Sequence, residues 1–334
     1  MKDTDAGGPT RPFEFLQPDC VLGAAEKVGL ETDGRLLPLN SYENRVWQIG
    51  LEQGDPVIAK FYRPERWSDQ AILEEHAFSA ELADTGLSVV APLVIDGQTL
   101  HEHAGFRYAL FPRQGGHAPE PEHEDTLRRM GLALGRLHQV GRAGRFSHRS
   151  VISIDSLGRH PRDWLLANGW IPLHLESAFQ TLTDDLLTHI ASAWERAGDY
   201  RAIRLHGDCH PGNILWRDGP HFVDLDDCRT GPAVQDLWML VSGERADREA
   251  QWGWLLESYC DFCQFDAREL HLIEALRALR MIQYQFWLAQ RWDDPAFPLA
   301  FPWFADERHW EHIIGQLREQ LSEMQEEPIT WRPI

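Results

Sequence analysis

The stretch His206-Gly207-Asp208-Cys209-His210-Pro211-Gly212-Asn213, followed by Ile214-Leu215-Trp216, Asp218-Gly219 and Phe222-Val223-Asp224, decides how the rest of the chain is read. Gly207, Pro211 and Gly212 keep its first segment out of helix and strand, since glycine opens unusual φ values and proline removes a backbone donor. Asp208 and Asn213 lie within that loop. The triplet Ile214–Trp216, the Asp-Gly turn and the apolar pair Phe222-Val223 then read as strand, tight turn, strand. A hairpin this short brings the chain back to where it started, so Asp208, Asn213 and Asp224 converge on one edge of a small sheet. A polar turn ahead of an ordinary buried hairpin explains any one of these residues. It does not explain all three in this order.

The order H-x-D-x-x-x-x-N, short hairpin, Asp resembles the catalytic loop and metal-binding aspartate of the protein-kinase-like phosphotransferases. Phosphoryl transfer needs an acceptor hydroxyl aimed in line and magnesium to neutralise charge. Magnesium takes hard oxygen ligands, keeps several waters and uses only one or two protein carboxylates. Asp224 with the amide oxygen of Asn213 suits that demand. Asp208 is placed to accept or orient the proton of the substrate hydroxyl.

Composition narrows the classes. A chain of 334 residues can bury a large core and is expected to divide in two. Hydrophobic content of 43% and charged content of 25% are ordinary for a soluble globular protein. A formal charge of −20 argues against a nucleic-acid partner, which calls for a basic surface. No apolar run approaches the length of a membrane span, and Met1-Lys2-Asp3-Thr4-Asp5 has no apolar core for export, so a cytoplasmic protein without membrane contacts is expected. Five scattered cysteines make no disulfide framework. Cys260-x-x-Cys263 falls in an apparently helical segment and reads as packing.

Taken in order, residues 1–12 read as a polar tail. Pro18-Asp19 opens a helix with Val21, Leu22, Ala25 and Val28 on one side and Gly29 as its stop. Leu36–Leu39, the alternating Arg45–Ile49 and the continuous Pro56–Tyr62 read as strands, the last two joined at Gly54-Asp55. A short antiparallel sheet at the front of the chain suits a nucleotide lid. Lys60 stands at the end of its β run and either snorkels or holds an anion. Ser68 opens a helix with Ile72, Phe78 and Leu82 as its apolar stripe and both Glu74 and Glu75 on it. A strand lysine paired with a helix glutamate holds the α- and β-phosphates in kinases. Either glutamate alone reads as a solvated helix charge; paired with the loop 206–213, Glu75 reads as functional.

No G-x-G-x-x-G precedes Lys60. The turn Leu39–Val46 takes that place, and Ser41 is its candidate phosphate donor, against an ordinary turn serine. Tyr108–Pro112 is a strand ending in Arg113-Gln114-Gly115-Gly116, a hinge where adenine would meet backbone near Phe111. Leu127, Met130, Leu134 and Leu137 mark the next helix. The arginine-rich stretch from Arg128 to Arg162 reads as a solvated face or as a holder of acidic substrate. Gly231 to Trp238 reads as a helix start, with Asp236 capping backbone N–H groups, possible targets being those of the catalytic loop. Helices are expected over most of 245–292 and 307–325. The aromatic, proline-containing segment Arg291 to Phe304 reads as packing or as a wall of the acceptor pocket.

The blocks Leu39–Val46, Lys60–Trp67, Leu205–Asp227 and Gly231–Leu240 resemble the bacterial stress response kinase A (RdoA) family, and the resemblance runs from about Asp19 to Pro328. That family sits with choline kinase, homoserine kinase and the aminoglycoside phosphotransferases. The E-x6-L spacing of that group selects Glu75, seven residues before Leu82. The resemblance implies an α+β, two-lobed protein-kinase-like fold. A small lobe, 1–111, carries an antiparallel sheet and the Lys60/Glu75 pair; a mostly helical lobe, 112–334, carries hinge, catalytic loop and metal hairpin. It implies an ATP- and Mg²⁺-dependent Ser/Thr protein kinase, cytosolic and connected with stress, with Asp208 catalytic, Asn213 and Asp224 on magnesium, and Ser41 in the ATP site. Cys209 and Asp226 match in type without a role. The protein-kinase A-P-E element is missing, so a small alcohol or aminoglycoside acceptor is the alternative. A nucleotide-binding scaffold that has lost catalysis is a further one. A monomer is expected.

Overall fold

The computed structural model describes residues 12–331; the polar tail expected over 1–12 lies outside them apart from Pro12. The chain begins with α1 (Pro18–Lys27) and then lays down β1 (Thr32–Leu39), β2 (Arg45–Leu51) and β3 (Val57–Phe61). After α2 (Asp69–Asp84) come β4 (His101–His103) and β5 (Phe106–Pro112). These five strands form one antiparallel sheet in the order β1-β2-β3-β5-β4. β3 is central, which accounts for its unbroken apolar sequence: Val57, Ala59 and Phe61 are buried. Lys60 is the one charge in this strand, paired in register with Val46 on β2 and Ala109 on β5. Ser68 starts α2 by accepting a hydrogen bond from the Ala71 N–H at 3.2 Å. The stripe Ile72, Phe78 and Leu82 is buried.

The remainder is mostly helical: α3 (Glu124–Ala143), a π-turn at Asp155–Arg159 running into α4 (His160–Ala167), and α5 (Leu173–Ala197). Three short pieces of strand follow, β6 (Ile203–Leu205), β7 (Ile214–Trp216) and β8 (Pro220–Phe222), and then β9 (Arg229–Gly231). The chain closes with α6 (Arg245–Tyr259), α7 (Ile273–Gln290), α8 (Ala296–Ala300) and α9 (Glu307–Glu323). Gly131 and Gly135 let α3 lie almost backbone to backbone on α6. A Cβ at these positions would stand 2.3 Å from the Leu255 carbonyl oxygen and 2.5 Å from that of Tyr259. One core gathers Leu127, Met130, Leu134 and Leu137 with Trp252, Leu255 and the hairpin residues Ile214 and Phe222. A second lies among α4, α5, α7 and α9.

Three local expectations change. No α-helix starts at Gly231; Ala233–Asp236 and Trp238–Leu240 are short 3-10 turns. Side chains already hold this backbone, since the Val234 N–H donates to Glu269 Oε2 at 2.9 Å and Val241 is extended. Cys260-x-x-Cys263 is not within a helix, because α6 ends at Tyr259; Cys263 packs in the core as a free thiol. The arginines of 128–162 divide: Arg129, Arg145 and Arg159 lie on a solvated face, while others are braces. Arg128 pairs with Glu124 and Glu257, Arg136 donates to the Thr85 carbonyl, and Arg149 is buried with its Nε on the Cys228 carbonyl at 2.9 Å.

Candidate active site

The loop 206–213 leaves β6, which pairs with β9 in the register Leu205↔Arg229. Its first residues are held from behind by a fully buried carboxylate. Asp236 accepts from the His206 N–H and the Gly207 N–H, both at 2.8 Å, and contacts His138 Nε2 at 3.0 Å. Gln235 Nε2 donates to the Gly207 carbonyl at 3.1 Å. Gly207 has φ +88°, and a Cβ there would lie 2.1 Å from the Asp227 carbonyl oxygen. Cys209 is fully buried, which pins the loop to the core between Asp208 and His210. Asp236→Ala would strand two N–H groups and a buried histidine, so a stability loss of about 3–5 kcal/mol is expected. A urea midpoint unchanged from the parent would contradict this brace.

A second buried acid supports the same turn. Burial pushes the Glu269 carboxyl up to about 7, against the pull of its backbone hydrogen bond. A carboxyl raised in the folded state contributes stability that is complete below its ordinary value and is lost as pH rises through about 7. Glu269→Gln should therefore gain stability over the parent between pH 5 and 8, by up to roughly 3 kcal/mol at the alkaline end. Melting curves that stay parallel across that range would refute it.

β7 and β8 form the expected hairpin, with Ile214 opposite Phe222 and Trp216 opposite Pro220. The Val223 N–H donates to the Asn213 carbonyl at 3.1 Å, which sets Asn213 beside the residue before Asp224. Asn213 Nδ2 donates to the Asp208 carbonyl at 3.0 Å, turning its amide oxygen into the end available to a cation. Asp224 has φ 57° and ψ 65°, a left-handed conformation uncommon outside glycine and found where geometry is imposed by a site. The hairpin also meets the end of α2's connection, through Phe222 N–H to Ser88 O at 2.8 Å.

Lys60 brings the sheet to this hairpin. Its Nζ is 2.9 Å from Asp224 Oδ1, 3.3 Å from Glu75 Oε1 and 3.3 Å from Asp226 Oδ1. The side chains of Lys60, Glu75 and Asp226 are 7%, 3% and 5% exposed, whereas that of Asp224 is 51% exposed. Burial opposes the Lys60 charge, but Asp224, Asp226 and Glu75 together hold its pKa well above the usual range. Burial pushes Glu75 up to about 7 despite Lys60. Glu74 has a separate task, accepting backbone N–H bonds from Ser147, His148 and Arg149.

Several residues of the cluster were not singled out by sequence reasoning. Arg66 pairs with Asp226 and, at 2.9 Å, with Asp227. Burial works against both acids, yet Arg66 with Lys60 holds Asp226, and Arg66 with Arg229 holds Asp227, below the usual carboxylate range. Asn44 Nδ2 donates to Asp226 Oδ2 at 3.1 Å, bringing the β1–β2 turn to the same place. Ser41 itself closes that turn, its hydroxyl donating to the Asn44 carbonyl at 2.9 Å, and its side chain does not join the Lys60 cluster. From the far side, Glu43 receives Arg291 Nε at 2.6 Å and Arg63 Nε at 2.9 Å, while buried Asp294 receives Arg45 and Arg63. The aromatic segment 291–304 thus anchors the turn, and its Phe301 packs on Tyr42. The run Asp224-Leu225-Asp226-Asp227 was the available signal for the extra acids.

Asp208 is half-buried in the loop, its side chain 23% exposed. Burial acts to raise its pKa, but a hydrogen bond with His210 and the charge of Arg280 hold it below the ordinary value, so it is ionised at neutral pH. Its carboxylate pairs with Arg280 of α7. An ionised carboxylate here can accept a proton, and the oxygens of Asn213 and Asp224 are a donor set suited to a hard divalent cation. Among the described residues no cluster of three or more His, Cys, Asp or Glu side chains forms a closed metal cage. Two protein oxygens leave the rest of such a cation's shell to water and phosphate.

Comparison with known proteins bears on the family and the fold. The phosphotransferase enzyme family profile, APH, matches residues 35–273. Stress response kinase A of Escherichia coli K12 is 45% identical over 322 residues, covering 96% of this chain and 98% of its own length. A serine/threonine protein kinase RdoA of Salmonella typhimurium is 44% identical over the same shares. The fold is similar to that of amicoumacin kinase in complex with AMP-PNP, Ca²⁺ and Ami, with TM-score 0.68, 19% identity, and 93% and 95% of the two chains covered. It is equally similar to a microcompartment-associated aminopropanol kinase, with TM-score 0.68, 17% identity, and 91% and 98% covered. The α+β architecture, a five-stranded antiparallel sheet ahead of a helical part, is that of these kinases. The chain belongs to the phosphotransferase enzyme family, as a kinase whose relatives are the stress response kinase A proteins.

Proposed function

We propose that the protein transfers the γ-phosphate of ATP to a serine or threonine hydroxyl of a protein, as part of a stress response in the cytoplasm, and works as a monomer. The observation that carries this reading is the meeting of Lys60, Glu75 and Asp224 in one ion cluster beside Asp208 and Asn213. The small lobe would run to about Phe111, with ATP between it and the helical lobe and adenine at the backbone following β5. Lys60, held by Glu75, binds the α- and β-phosphates in this reading, and the Ser41 turn covers them. Asn213 and Asp224 would hold Mg²⁺, which supplies neutralisation of phosphate charge when bound. Asp208 orients the acceptor hydroxyl and takes its proton. The names of the curated relatives support a protein acceptor and a stress role, and five free cysteines accord with a reducing compartment.

A small-molecule acceptor is the second reading, favoured by one observation: a cavity of about 620 Å³ adjoins Asp208 through Arg280. That volume is typical of small-ligand sites, which run to about 300–1,000 Å³. The test is γ-labelled ATP with purified protein, a cell lysate and a panel of hydroxyl metabolites. Label in lysate proteins that depends on Asp208 supports the protein kinase. Label confined to one metabolite would replace it with the second reading.

A further inference from the structure

One feature outside the nucleotide cluster is that cavity, between α7 and α9, whose lining carries three arginines and one carboxylate. We propose that it is the acceptor site, and that it selects an alcohol bearing an anionic group, a phosphate or a carboxylate, next to the hydroxyl to be phosphorylated. This rests on the reading of Asp208 as the residue that orients the hydroxyl.

Three arginines line the cavity, Arg277, Arg280 and Arg308, in a protein of net charge −20. Arg280 connects it to the reacting end by pairing with Asp208. Trp238 connects its wall to the catalytic loop, since its Nε1 donates to Gln235 at 3.4 Å and Gln235 holds the Gly207 carbonyl. The Arg277 guanidinium carbon sits over the Trp238 ring, 4.7 Å from its centroid, and this cation–π contact holds the group in place. Its carboxylate partner, Glu274 at 3.1 Å, is shared with Arg248 at 3.2 Å. Arg308 is exposed and forms no ion pair among the described residues. The one carboxylate in the lining, Asp306, spends an oxygen on the Arg308 N–H at the start of α9. His309, whose ring burial lowers to about 4, is neutral at working pH and adds nothing to the charge of the arginines.

Guanidinium groups match phosphate and carboxylate oxygens with two parallel hydrogen bonds. With Arg277 and Arg280 already matched to carboxylates, the unpaired Arg308 repels an ammonium, which disfavours amino-alcohol and aminoglycoside acceptors. With such an anion bound, Arg280 is shared between it and Asp208, and the neighbouring hydroxyl is drawn toward the Asp208 carboxylate.

The experiment titrates glycerol 3-phosphate, glycerate, glycerol and 1-amino-2-propanol into protein saturated with ADP and Mg²⁺, followed by ligand-observed NMR. A seryl peptide with acidic flanks and one with basic flanks complete the series. Saturable binding of an anionic probe, at least about tenfold tighter than glycerol or the amine, is expected. The variant Arg277→Gln/Arg308→Gln should weaken that binding by about tenfold or more, with its urea midpoint confirming that it folds. Arg308→Gln alone, at an exposed position, serves if the double variant does not fold. Tighter binding by the phosphate alcohol or by the acidic peptide identifies whether the source is a metabolite or a protein. No saturable anion binding, or binding indifferent to both variants, or preference for the amine or the basic peptide overturns the proposal. Transfer that survives Asp208→Ala would overturn the underlying assignment of Asp208, whereas Asp208-dependent transfer without anion binding overturns the acceptor proposal alone.

Discussion

Asp208→Ala is expected to lower turnover by about 10²–10⁴-fold, the range typical of losing a positioned general base. Nucleotide binding should stay within about threefold of the parent, because Lys60, Glu75, Asn213 and Asp224 are separate side chains. The fold should tolerate the change. The Asp208 side chain is half-buried, but its partner Arg280 is 44% exposed and can be hydrated once the pair is lost, so the cost to stability is about 1 kcal/mol. The loop backbone is held by Asp236 and Gln235, not by the Asp208 carboxylate. Turnover within a few-fold of the parent, in protein with an unchanged urea midpoint, would remove Asp208 from the chemistry.

Asp224→Asn should have the next largest effect, a loss of turnover of roughly 10²–10³-fold, as for removing a group that stabilises transition-state charge. It should also raise the Mg²⁺ concentration needed for half-maximal nucleotide binding by about tenfold or more. Asparagine is chosen because it tolerates the left-handed conformation that position 224 adopts, with φ 57°. Lys60 keeps Glu75 and Asp226 as partners, so the cluster retains a compensated charge. Kinetics and binding with an unaltered Mg²⁺ dependence would exclude Asp224 from holding the cation.

Why so much of the site could be read in advance is visible at particular residues. Asp208, Asn213 and Asp224 are spaced by a loop and a short hairpin, so sequence distance translates directly into spatial distance. Lys60 announces itself as a charge in an apolar central strand. Glu75 and Glu74 differ by one residue, and helical geometry sends them apart, Glu75 to Lys60 and Glu74 to the N–H groups of 147–149. Asp236 was legible as a cap, although its target came from the loop about thirty residues earlier and its own segment is only 3-10 turns.

The rest was hidden because its partners are remote and aperiodic. Arg66 meets Asp226 and Asp227 across 160 and 161 residues, and Arg45 meets Asp294 across 249. Nothing in a charge's own neighbourhood indicates such a pairing. The arginines of 128–162 look alike in the sequence, yet Arg149 is buried on carbonyl groups while Arg159 pairs within its own exposed turn. The cationic cavity draws its arginines from α7 and α9, so no single stretch carries its signature.

The central claim is that one site formed by Lys60, Asp208, Asn213 and Asp224 performs the transfer. A crystal grown with AMP-PNP and Mn²⁺, read by anomalous scattering, tests it most directly. The account predicts a Mn²⁺ peak bonded to the Asn213 amide oxygen and the Asp224 carboxylate, with Lys60 on the phosphates and the γ-phosphate facing Asp208. A cation and nucleotide bound away from Asn213 and Asp224 would contradict it.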